Sequence, residues 1–218
     1  MYFLKKYIQS NYFFLGPYLF IILLLVPYFI LITRLSGHLA INSFHSALLD
    51  LFFKYITWFG DGITPFIVAF IFLFVSFRKA LILAASGTLG GLIAQIFKRF
   101  VFSGVKRPYG FFKEWPGFHF VEGIHMHSSH SFPSGHAATI FALCLVLAGF
   151  TKSKPVKLLL LLTALTVAFS RVYLSQHFLI DIYAGSFIGI ISALLIVRYI
   201  EGIKAKWPDF SLLRVMKK

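Results

Sequence analysis

Residues 7–33 form a run of twenty-seven positions without a single charge, and this run constrains the fold more than any other feature. A helix rises about 1.5 Å per residue and a bilayer core is about 30 Å thick, so about 20 largely apolar residues cross it. A cleaved signal peptide has a shorter apolar region followed by small residues. This run is too long and no such site follows, so it reads as a retained span. Five more apolar runs follow, at about residues 62–77, 80–97, 133–150, 158–169 and 179–197. The expectation is an all-α polytopic membrane protein with six transmembrane helices.

Composition agrees. Charged residues are 13% of the chain, against about 25% in soluble domains. Hydrophobic residues are 59%, with 28 Phe. These figures exclude a disordered chain, a disulfide scaffold and a soluble enzyme of ordinary surface. Cys144 is the single cysteine and has no intramolecular partner. The net charge of +14 does not point to nucleic acid, because the basic residues gather at span boundaries.

Six spans place both termini on one side. Of the 21 Lys and Arg, thirteen fall on that side and eight on the other. The positive-inside rule then puts both termini in the cytoplasm of a cytoplasmic (inner) membrane protein. Five of the eight opposing cations lie between Lys98 and Lys113, against the rule, and need a local reason.

Residues 40–59 differ from the spans. Leu48, Leu49, Phe52, Phe53, Ile56 and Phe59 share a helical face, while Asp50 and Lys54 stand i,i+4. This predicts a helix lying in the outer interface. Gly87 with Gly91, and Gly185 with Gly189, have the small-xxx-small spacing of closely packed membrane helices. The basic tail, residues 198–218 with Trp207, reads as an anchor on anionic headgroups. No internal repeat or linker appears, so residues 1–218 read as one domain.

Polar groups near membrane depth are functional candidates. They form three clusters: KRFVFSGVKRP after the third span, HSFPSGH before the fourth, and SRVYLSQHFLID between the fifth and sixth. Odd spans leave and even spans enter on the same face, so all three clusters fall on the extracytoplasmic side. Arg107, Arg171 and a lysine supply cations, and arginine's planar fork suits phosphate oxygens. Pro133-Ser134-Gly135-His136 opens a helix, where free N–H groups and the dipole attract anions. Gly135 admits close approach, and Ser134 either caps the helix or offers its hydroxyl. His177 and Asp181 stand i,i+4, so the carboxylate can fix the imidazole tautomer and leave the other nitrogen free to attack. His136 can protonate a leaving oxygen. Each motif alone is weak, and their order on one face is hard to explain as packing.

These residues resemble the type 2 phosphatidic acid phosphatase superfamily, whose pattern is Lys-x6-Arg-Pro, Pro-Ser-Gly-His and Ser-Arg-x5-His-x3-Asp. Residues 133–136 match the second motif; Ser170, Arg171, His177 and Asp181 match the third; Arg107-Pro108 end the first. One departure stands out: Phe100 occupies the expected lysine position, and Lys98 comes two residues early. Lys98 is assigned as the phosphate-binding lysine, with adjacent Lys106 as the alternative. The resemblance implies a helical core shared with vanadium haloperoxidases. It implies hydrolysis of a membrane lipid phosphate through a phosphohistidine on His177, oriented by Asp181. His136 is the implied acid, and Lys98, Arg107, Ser134, Gly135 and Arg171 hold the phosphate. No metal or other cofactor is implied, nor a protein partner. Substrates of this type are undecaprenyl pyrophosphate, lipid A and phosphatidylglycerophosphate.

Outside the motifs, His119, His125, His127 and His130 crowd one loop, and His125-x-His127-x-x-His130 has metal-ligand spacing. This gives one alternative, an intramembrane metal-dependent hydrolase using the 119–130 histidines. Another is a non-catalytic lipid-phosphate binding or transport protein. Tyr109, Phe111, Phe112, Trp115, Phe118 and Phe120 suggest an interfacial belt or a rim for lipid chains.

Overall fold

The computed structural model describes residues 2–203 and 210–215. Trp207 and the lysines at 204, 206, 217 and 218, which the tail anchor invoked, lie outside the described residues. The described chain is helical: α1 (Tyr2–Ser10), α2 (Tyr12–Leu31), α3 (Arg34–Asn42), α4 (Ala47–Ile56), α5 (Thr64–Leu73), α6 (Phe77–Ile96), α7 (Pro108–Phe112), α8 (Gly135–Gly149), α9 (Lys154–Tyr173), α10 (Leu179–Glu201) and α11 (Leu212–Val215). A 3₁₀ turn (Thr57–Gly60) follows α4, and a π turn (Phe97–Val101) ends α6.

Among the described residues, four helices are long and apolar enough to cross a membrane: α2, α6 with its π turn, α9 and α10. This is a multi-pass membrane protein. Two of the six expected runs take other forms. The run at 62–77 holds only the ten-residue α5, about 15 Å of helix, too short to span alone. It joins the segment 47–60 at a 60° bend, and the two together meet the length of a broken span. The expected interfacial helix and second span are therefore joined at a sharp bend, the form of a broken span or a re-entrant loop. The fourth run yields α8, only 15 residues long. It is central, packed by α10, α6 and α9, and nearly every one of its residues is buried. Protein surrounds it, so its length need not match the bilayer.

The first run breaks at Asn11. There the Lys157 ammonium donates to the Ser10 carbonyl at 2.6 Å and to Asn11 Oδ1 at 2.8 Å. Helix α2 then runs mostly unburied, tied to α10 through Tyr18 and Ser186, whose hydroxyls lie 2.9 Å apart. The expected Asp50–Lys54 pair is replaced by longer-range bonds. Asp50 accepts from Tyr173 at 2.6 Å and meets His119 Nε2 at 2.8 Å, while Lys54 donates to the Glu122 carbonyl at 2.7 Å.

Glycine lets the backbones of α8 and α10 approach closely. A Cβ at Gly185 would overlap the Ser134 carbonyl oxygen, and one at Gly189 the Ala138 carbonyl oxygen. Lipid tails are as apolar as leucine, so helices in a membrane associate through this kind of packing. On α6, Gly87 meets Pro65 and Gly90 meets Ala138, whereas a Cβ at Gly91 would meet only Thr139 Oγ1 at 3.6 Å. The α6 contact therefore uses Gly87 and Gly90 rather than the Gly87–Gly91 pair.

Overpacking a tight interface costs about 1–3 kcal/mol. Gly189→Leu should lower the thermal unfolding midpoint in detergent by many degrees, and Gly91→Ala should leave it nearly unchanged. Equal midpoints for the two variants would contradict the α8–α10 assignment.

Candidate active site

The three polar clusters meet at one end of the bundle. Helix α6 ends there with Lys98, α8 begins with Gly135 and His136, α9 ends with Arg171, and the loop into α10 carries His177. These side chains, with Arg107 and Gln176, line one cavity of about 480 Å³.

Asp181 organises it. Its Oδ2 lies 3.2 Å from His177 Nδ1, accepts the Phe178 amide at 2.9 Å, and accepts the Ser131 hydroxyl. Its backbone carbonyl accepts the Ser134 amide at 3.0 Å. One residue thus fixes the His177 ring and ties the start of α8 to the start of α10. The His177 amide donates to the Arg171 carbonyl at 3.0 Å, which closes the loop after α9. His177 is 2% exposed and Asp181 1%. Burial, and then the cations of Arg107, Lys98 and Arg171, push the His177 pKa well below the usual imidazole value. That direction favours the neutral ring, with Nδ1 turned to the carboxylate.

The cations differ in how they are held. Arg107 Nε donates to the Ser129 carbonyl at 2.9 Å, and Nη1 donates to the Gln176 carbonyl at 2.9 Å. Nη1 also reaches Gln176 Oε1 at 3.3 Å, and Nη2 reaches the His130 carbonyl at 3.4 Å. Of five N–H donors, one on Nη2 remains for a ligand. Arg171 Nη1 donates to Thr57 Oγ1 at 2.9 Å, and its Nε is buried without a partner among the described residues. A buried donor left unpaired is costly, and an anion in the cavity would satisfy it.

Lys98 is 7% exposed and lines the cavity. Its early position is explained locally. The π turn, closed by the Phe102 amide on the Phe97 carbonyl at 2.8 Å, changes the helix register at its end. Phe100, at the expected lysine position, is 82% exposed. Lys106 Nζ instead sits over the Phe111 ring. A Cβ at Gly135 would meet nothing within 4 Å, so the backbone there is open to a ligand. Ser134 takes the capping alternative. Its hydroxyl accepts from the Ala137 amide, its own amide goes to Asp181, and it does not line the cavity.

The loop histidines scatter. His119 pairs with Asp50 and stacks on His45 at 4.0 Å, while His130 Nδ1 meets the Ser129 hydroxyl. His125 and His127 reach the cavity, but no three His, Cys, Asp or Glu side chains among the described residues converge to hold a metal ion. The aromatic loop is more cluster than rim. Phe112 is buried and stacks on Phe118 at 4.7 Å, and both rings stack on His38. Sequence reading missed Thr57, Gln95, Asp61 and Gln176, which also line the cavity. No local signal marks them, because Thr57 meets Arg171 across 114 residues.

A buried imidazole–carboxylate pair thus stands beside a second imidazole and three cations, inside a membrane helix bundle. The chain belongs to the PAP2 superfamily, whose signature matches residues 79–204. Two solved structures share the fold. The crystal structure of Aquifex aeolicus LpxE has a TM-score of 0.66 and 25% identity, covering 76% of this chain and 94% of that one. The crystal structure of the first transmembrane PAP2 type phosphatidylglycerolphosphate phosphatase from Bacillus subtilis has a TM-score of 0.60 and 24% identity, covering 89% and 99%. No curated protein matches the chain significantly.

An imidazole is neutral above its pKa, so a lowered pKa keeps His177 neutral at more acid pH. ¹⁵N-histidine NMR on the ligand-free protein should find a His177 midpoint below about 6.5. A midpoint at or above that value would contradict the electrostatic description.

Proposed function

We propose that the protein hydrolyses the phosphate monoester or pyrophosphate of a membrane lipid by double displacement. His177 Nε2 attacks phosphorus, a P–N bond forms, and the P–O bond to the leaving group breaks. His136, protonated once the bound phosphate's negative charge offsets the surrounding cations, gives its proton to the departing oxygen. Asp181 holds Nδ1 and stabilises the imidazolium character that develops. Lys98, Arg107, Arg171 and the open backbone at Gly135 bear the charge of the equatorial oxygens, with Ser134 fixing that helix start. Water, deprotonated by His136, then attacks the phosphohistidine and releases phosphate.

The observation that carries this reading is the 3.2 Å His177–Asp181 pair opening onto the cavity that His136 and three cations share. The reaction needs no metal in this scheme, because fixed cations do the work of a Lewis acid. The metal-dependent alternative loses its ligand set once His119 and His130 turn to other partners. A purely binding protein has no use for a buried carboxylate behind its imidazole.

The alternation of spans and the distribution of Lys and Arg support a site on the extracytoplasmic side of the inner membrane, with both termini cytoplasmic. Residues 1–218 act as one unit in this reading, since all the site's segments come from the packed helices. The similarity to LpxE and to a phosphatidylglycerolphosphate phosphatase supports a membrane lipid phosphate as substrate, and lipid A, phosphatidylglycerophosphate and undecaprenyl pyrophosphate are the candidate types.

The test is phosphate release from purified lipid phosphates of these three types with a chelator present. Wild-type protein should turn over at an undiminished rate. His177→Ala should lose about a thousandfold or more in kcat. Chelator inhibition, or full activity in His177→Ala, would overturn the scheme.

A further inference from the structure

Behind the loop that carries His177 lies a second cavity, of about 320 Å³, which shares no lining residue with the first. It sits where α2 ends, between α3 and the start of α10, and is walled by Phe29, Ile32, Ile41 and Leu179. Its charge comes from Arg34, the one charged residue in its lining, and no carboxylate is present there. The Arg34 guanidinium rests 5.1 Å from the Phe111 ring centroid and 5.2 Å from that of Phe178. It makes no hydrogen bond or ion pair among the described residues. Stacking covers a face of the planar group and leaves its N–H edge for an acceptor.

A second observation is independent of Arg34. His38 also lines this cavity and is 3% exposed. Its Nε2 meets the Ser175 hydroxyl at 3.1 Å, yet its buried Nδ1 has no partner among the described residues. Buried polar atoms are rarely left so, and a ligand with a polar atom beside an apolar body would complete the pairing. Burial lowers the His38 pKa to about 4, so the ring adds a dipole rather than a charge. The cavity therefore combines apolar walls, one unpaired cation and a neutral imidazole whose buried Nδ1 lacks a partner among the described residues. Ile30 and Leu31, at the adjoining end of α2, are 77% and 79% exposed, which places this corner against the hydrocarbon.

We propose that this cavity binds an anionic phospholipid of the surrounding bilayer, with its phosphate on the Arg34 edge and the first part of one acyl chain against Phe29, Ile32 and Leu179. Charge complementarity selects the headgroup, because a lone guanidinium on aromatic rings favours a phosphodiester that carries no balancing ammonium. The glycerol backbone falls beside His38, whose ring lines the cavity. The lipid is not the substrate, since no group of the hydrolytic cavity faces it, and the site stands whether or not the hydrolytic scheme holds.

Native mass spectrometry of the purified full chain, released from detergent with added dioleoylphosphatidylglycerol or dioleoylphosphatidylcholine, tests this. Wild-type protein should retain one phosphatidylglycerol in preference to phosphatidylcholine. Arg34→Gln should lower that retention about tenfold, the worth of a charged hydrogen bond. Lys79→Gln removes another ring-stacked cation, over Phe150, and should change retention less than about twofold. Ile41→Trp, which fills the groove and keeps Arg34, should also lower it. Equal retention by wild type and Arg34→Gln, an equal loss in Lys79→Gln, unchanged retention in Ile41→Trp, or equal retention of the two lipids would overturn the proposal.

Discussion

The Asp181 carboxylate is the point on which the rest of the architecture depends. A buried carboxylate without partners costs several kcal/mol. This one receives the Ser131 hydroxyl, the Phe178 amide and the His177 imidazole, while its carbonyl takes the Ser134 amide. Those bonds come from the two segments that flank α8 and α10. The helices can join there because Gly185 and Gly189 bring their backbones together. Close packing of the bundle and orientation of the imidazole are thus one construction.

The cations around that centre are unbalanced by design. Lys98, Arg107 and Arg171 crowd one cavity with few acidic neighbours, Asp61 among them, and Arg171 Nε is left without a partner. Such an arrangement is stable only because the bundle over-determines it. Arg107 is stapled to the carbonyls of Ser129 and Gln176, and Arg171 to Thr57. In the proposed reaction, a phosphate entering the cavity would meet donors already in place. Little reorganisation is then needed at the moment of reaction, which is where preorganised sites gain most of their rate.

Much of this was legible in the sequence, for reasons that particular residues make clear. His177 and Asp181 are one helical turn apart, so their pairing follows from local geometry. Lys98, Arg107, His136 and Arg171 were placed together by counting spans, which needs only the length of each apolar run. What was not legible depends on distant partners. Lys54 and Asp50 suggested a local pair, but Glu122, Tyr173 and His119 claim them. Phe112 and Phe118 looked like a lipid rim and instead enclose His38. The two-residue displacement of Lys98 is accommodated by a π turn, which no hydropathy pattern announces. The short α5 and its 60° bend were hidden because a broken span and a whole one have the same composition.

The central claim is that the neutral His177 ring, held by Asp181, takes the phosphoryl group before water does. The direct measurement is a rapid alkaline quench during turnover of a lipid phosphate, followed by peptide mass spectrometry. The account predicts a phosphoryl group on the imidazole of His177, appearing and decaying at rates that match phosphate release. Turnover with no phosphorylated His177 peptide, or with the label on another side chain, would contradict it.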